Sequence, residues 1–72
     1  MRIVDLHGIK HQDVKQILDN HIWECIKNHD NRIYVITGHS IMMKKIVTDI
    51  AREYNLTAIT NMFNIGEMII DF

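Results

Sequence analysis

The chain has no proline, one cysteine and three glycines in 72 residues, and neither sign of charge prevails, with eight Lys and Arg against nine Asp and Glu. Without proline-rich or serine-rich stretches nothing reads as a linker, so residues 1–72 are expected to form one domain. Cys25 alone excludes an intrachain disulfide and points to a reducing, cytoplasmic setting. No apolar run approaches the roughly 20 residues that span a bilayer, and no segment reads as a secretory signal, so no membrane association is expected. A formal charge of −1 excludes tight binding of a polyanion through bulk charge. It leaves room for a local cluster of Lys and His at one phosphate. A chain this short buries only about 60% of its unfolded surface, so its stability should be marginal unless it associates.

The chain is rich in periodic apolar pattern. Met1–Leu6 reads as a strand ending at His7-Gly8. From His11 to about His29, Val14, Ile17, Leu18, His21, Ile22 and Cys25 fall on one side at 100° per residue, which predicts an amphipathic helix stopped by Asn28–Asn31. Arg32–Thr37 is dense in β-branched and aromatic residues, a second strand. Ser40 then stands as N-cap of a second helix with Met43, Ile46, Val47, Ile50 and Tyr54 on one face. A third strand is expected around Thr57–Met62, a reversal at Asn64–Gly66, and a fourth strand over Glu67–Phe72. The order β-α-β-α-β-β implies right-handed βαβ units, hence a mixed sheet with one face covered by helices and the other partly open. Strand two carries Ile33 and Val35 on one side and Tyr34 and Ile36 on the other, so both faces are apolar. An open apolar face invites a second copy of the chain or another protein. Met42, Met43, Met62 and Met68 read as core and rim packing. Trp23 falls opposite the apolar stripe of the first helix, and is expected to fold over the helix edge onto a neighbouring loop.

In a parallel βαβ unit the loops at the carboxyl ends of the strands share one sheet edge, and ligand sites collect there. His7-Gly8 and Gly38-His39-Ser40 both have that position. Asp5 and His7, two apart on a strand, are expected to point to one face, so that Asp5 can orient His7 as a general acid or base. Gly38, the amides opening the second helix, and Lys44 or Lys45 within a turn suit a phosphate. The same residues also read more simply, as a hydrogen-bonded turn, an N-cap and solvated lysines. His7, His11 and His39 match no standard zinc spacing, and Asp5 alone does not make a two-metal site. No cofactor is implied, and dependence on a divalent metal is left open.

"DLHG" closing the first strand, "TGHS" after the second, "MKKIV" in the following helix and "NIG" before the last strand together resemble the small MutS-related (Smr) domain over essentially the whole chain. That resemblance implies a two-layer α/β sandwich similar to the C-terminal domain of bacterial initiation factor three, with strand four inside the sheet and strand three at an edge. It also implies binding of DNA or RNA, with nicking or cleavage. Asp5 and His7 become the catalytic candidates, and Gly8, Thr37, Gly38, His39, Ser40, Lys44, Lys45, Asn64 and Gly66 the phosphate-contacting ones. Where the family's loop carries a second glycine, this chain has Ser40. Two other classes stay open beside a nuclease: a non-catalytic module for structured nucleic acid, and a protein-interaction domain using the open sheet face and Trp23.

Overall fold

The alternating and helical patterns close into β1 (Arg2–Asp5), α1 (His11–Lys27), β2 (Arg32–Ile36), α2 (Ile41–Glu53), β3 (Thr57–Asn61) and β4 (Asn64–Asp71). This computed structural model describes residues 2–72, so Met1, assigned above to the first strand, lies outside the described residues. The sheet order is β1-β2-β4-β3. β1 and β2 run parallel, joined by the α1 crossover, and β4 pairs antiparallel with both β2 and β3. The predicted mixed sheet, with strand four inside and strand three at an edge, is therefore what forms.

One sheet face is made by alternate residues, Val4, Ile33, Val35, Met68 and Ile70, all buried. Val14, Leu18, Ile22 and Cys25 of α1 and Met43, Val47, Ile50 and Ala51 of α2 pack into the same core. Each fully buried Leu, Ile or Val contributes about 1.5–3 kcal/mol by leaving water, the main favourable term in so small a domain. Tyr54 Oη donates to Asp19 Oδ1 at 2.7 Å, and Lys15 bridges Asp19 and Glu53, tying the two helices together at the surface. The other sheet face carries a cross-strand row of Ile3, Tyr34, Ile69 and Ile59, which are register partners across all four strands. This is the open apolar face that alternation implied. Among the described residues no helix is long and apolar enough to cross a membrane.

Four expectations need correction. α1 stops at Lys27, two residues early, because His29 turns into the left-handed region at φ 59° and Asp30 N–H closes back onto Cys25 O at 2.9 Å. The chain reverses at Met62-Phe63 rather than at Asn64–Gly66, which belongs to β4. Trp23 does not fold over the helix edge but stays 65% exposed. Met43 and Met68 join the core, whereas Met42 and Met62 are exposed.

Candidate functional site

The parallel pairing of β1 with β2 sets Asp5 beside Ile36, and Leu6 N–H donates to Ile36 O at 2.8 Å. The loops leaving the two strands are therefore neighbours. β1 ends at Asp5, so His7 sits in a turn beyond the strand and strand alternation no longer orients it. Asp5 Oδ1 instead accepts the backbone N–H of His7 at 2.9 Å. Ile9 N–H closes onto Leu6 O at 3.0 Å, with Gly8 at φ 81°. The expected carboxylate–imidazole pair is thus a carboxylate–backbone pair, and Asp5 shapes the turn that presents the exposed His7.

The second loop is held from β4. Thr37 and Gly38 N–H groups both donate to Gly66 O, at 2.9 and 3.0 Å, and Thr37 Oγ1 donates to Gly38 O at 2.8 Å. Thr37 is a buried polar residue that these bonds satisfy. Gly38 lies at φ 67°, and a Cβ there would stand 3.0 Å from His7 Cδ2. The His7 ring therefore lies against the backbone of the second loop, which brings the two loops together in one place. Ser40 caps α2, its Oγ accepting Met43 N–H at 3.0 Å. Its φ of −71° is ordinary extended backbone, so this position makes no conformational demand for glycine.

β4 completes the edge through an irregularity. The β3–β4 register shifts between Thr60 and Asn61, and such bulges re-aim residues near functional sites. Asn64 Oδ1 accepts Gly66 N–H at 3.1 Å, and a Cβ on Gly66 would stand 3.3 Å from His39 Cδ2, so the His39 ring lies over Gly66. Lys44 Nζ donates to the carbonyl of Ile65. Lys45 is not drawn in: its ammonium pairs with Asp49 at 2.9 Å and holds that carboxyl below its usual range. His7, Thr37, Gly38, His39, Ser40, Lys44, Asn64 and Gly66 thus form one cluster with Gly8 in the adjoining turn, and Lys45 stands apart.

Two features escaped the sequence. Lys10 is the N-cap residue of α1 and makes no side-chain cap bond, while Asp13 in the first turn returns its N–H to Lys10 O at 2.9 Å and sets a carboxylate at that helix start. The absence of Ser, Thr, Asp or Asn before His11 was the available signal. The second is the carbonyl of Ile65, a backbone anchor for Lys44 that only the bulge creates and no side-chain pattern announces. Two helix N-termini, Lys10 and Lys44 supply donors and positive charge at this edge, offset in part by the carboxylates of Asp5 and Asp13, in a chain of net charge −1. Among the described residues no group of three or more His, Cys, Asp or Glu is placed to hold a metal ion.

A family model described as Smr domain matches residues 4–62. That span takes in both loops and α2, and ends at the β3–β4 hairpin, so Asn64 and Gly66 lie beyond it. Comparison with curated proteins and with solved structures gives no match.

Proposed function

Because the chain belongs to the Smr domain family, whose members are generally nucleic-acid-binding and nuclease-like, we propose that the loop cluster holds a phosphodiester of DNA or RNA and cleaves it with His7. The phosphate rests over Thr37–Ser40, facing the opening amides of α2 with Lys44 alongside. Lys44 can keep its bond to Ile65 O, since an ammonium has three donors. His7, exposed beside the loop, takes the proton from an attacking water as its oxygen bonds to phosphorus, or, in its protonated form, gives one to the alkoxide as the P–O bond breaks. Asp5 is a positioning residue in this scheme, through the turn it closes.

The observation that carries the reading is the His7 ring lying against Gly38, which sets an acid–base group directly over the loop best suited to an anion. The test compares wild type and His7→Ala on labelled supercoiled DNA and on structured RNA, with and without Mg²⁺. Cleavage by wild type and none by the variant, at equal thermal stability, is the expected result. Unchanged cleavage by the variant removes His7 from the mechanism.

One observation favours a second reading, a non-catalytic binding module. The Asp5 carboxylate is engaged by backbone and does not meet the imidazole, so His7 has no carboxylate orienting it as a base usually has. Binding that weakens steeply with salt, with no product on any substrate, would select it.

A further inference from the structure

The β3–β4 hairpin carries two apolar side chains almost wholly in solvent, Met62 at 89% and Phe63 at 97% exposed. They bury almost nothing and so contribute little to the fold through burial. The backbone that carries them is nevertheless held. Asn61 Oδ1 accepts Phe63 N–H at 3.0 Å while Asn61 Nδ2 donates to Glu67 Oε1 at 2.8 Å, pinning both sides of the turn. Phe63 is three residues from Gly66, whose carbonyl holds the Thr37-Gly38 loop, a separation of at most about 11 Å of extended chain. On the other side, Lys44 reaches the carbonyl of Ile65. Ile41, 85% exposed, lies one turn before Lys44 on the same side of α2. An aromatic tip and two exposed isoleucines, Ile41 and Ile65, therefore border the one lysine that enters the phosphate cluster from α2.

We propose that the Met62-Phe63 tip is a stacking platform for an unpaired base of a single-stranded nucleic acid segment, the strand whose phosphate lies on the Thr37–Ser40 loop. The proposal rests on the phosphate-binding reading above. An exposed ring on a backbone held beside a backbone-binding cation is how proteins hold single strands, since every unpaired base offers a π-face to an aromatic side chain. A paired base within a duplex keeps that face stacked on its neighbours. Anionic lipid is a poorer fit, because such surfaces draw in clusters of 4–8 Lys and Arg, and among the described residues Lys44 and Lys10 are the cations placed at this edge, with Lys45 paired to Asp49.

The test measures binding of one labelled single-stranded oligonucleotide, in DNA and RNA form, and of the blunt duplex of the same sequence. Wild type, Phe63→Ala, Phe63→Trp and Lys44→Ala are compared, and the exposure of Phe63 keeps its substitution from challenging the fold. Phe63→Ala should weaken single-strand binding by about 5- to 150-fold, the loss of one stacked base, and leave duplex binding within about twofold, with Phe63→Trp restoring affinity. Lys44→Ala should weaken both ligands and flatten the salt dependence. Equal single-strand affinity of Phe63→Ala and wild type, with Lys44→Ala still impaired, overturns the platform and leaves the phosphate reading standing. Failure of wild type to bind any of these nucleic acids overturns the phosphate reading and the platform with it. If Phe63→Ala instead loses binding to phosphatidylserine vesicles while its oligonucleotide binding is unchanged, the tip is a membrane contact and the platform is wrong.

Discussion

The His7 ring and the Gly38 backbone are in direct contact, and a Cβ on Gly38 would stand 3.0 Å from His7 Cδ2 with the backbone at φ 67°. Two separate costs therefore meet any side chain at that position, a left-handed conformation and an overlap with the ring. Gly38→Ala should destabilise the domain by about 1–3 kcal/mol and push the imidazole off the loop. Urea unfolding reads the first effect, and displaced His7 ring resonances in NMR spectra read the second. Gly8 is the control, at φ 81° with nothing within 4 Å of its would-be Cβ. Gly8→Ala should cost only the conformational part, about 1 kcal/mol.

Cys25 is buried among the core residues, with its thiol donating to Asp30 O at 3.4 Å. Burial first, and then the nearby Asp30 carboxylate, push its pKa up. A thiol held in its neutral form inside the core is a poor nucleophile. Alkylation at pH 8 should proceed only through opening of the fold and accelerate with added urea. The raised pKa also links stability to pH. The contribution is fully present below the ordinary thiol range of about 8.5 and is lost as pH rises through the folded value. Between pH 7 and 10 the urea midpoint of wild type should fall more than that of Cys25→Ala, and the difference isolates the thiol from Lys15 and Tyr54, which are also shifted up.

Periodicity made most of this fold legible. Val14, Leu18, Ile22 and Cys25 at helical spacing, and Ile33 and Val35 at strand spacing, are the residues that close the core. The strand-three edge and the inner place of strand four came through the family likeness, since hydrophobic pattern does not encode neighbour order. Asn64 and Gly66 carry turn chemistry that points to a reversal, yet they spend it inside β4. Asn64 caps the Gly66 amide there, and the register shift at Asn61 absorbs the irregularity. Asp5 and His7 depart from the strand pattern for a related reason. Alternation relates side chains only while the strand lasts, and β1 ends at Asp5.

Ser40 stands where the family loop carries glycine, and its backbone is relaxed at φ −71° while its Oγ holds Met43 N–H. Glycine offers this position no conformational gain. Ser40→Gly should change stability by only a few tenths of a kcal/mol, whereas Ser40→Ala should cost about 1 kcal/mol through the lost cap. Phosphate-dependent binding by Ser40→Gly should stay within about twofold of wild type. A large rise in affinity or cleavage would mean that the serine side chain itself obstructs the ligand.

Asp5 gives the sharpest separation between a turn-forming and a charge-bearing role. Its Oδ1 accepts the His7 amide proton at 2.9 Å, a task that an asparagine oxygen performs equally well without charge. Asp5→Asn should therefore retain the turn, slow exchange of the His7 amide, and most of the activity of wild type. Asp5→Ala removes the acceptor, and should cost about 1 kcal/mol, speed exchange of the His7 amide and lower cleavage or binding by releasing the loop. If Asp5→Asn is as inactive as His7→Ala while the His7 amide stays protected, the negative charge itself is required. The carboxylate would then act on the imidazole or the reacting groups once substrate is bound, and the turn seen in the free protein would be only its resting use.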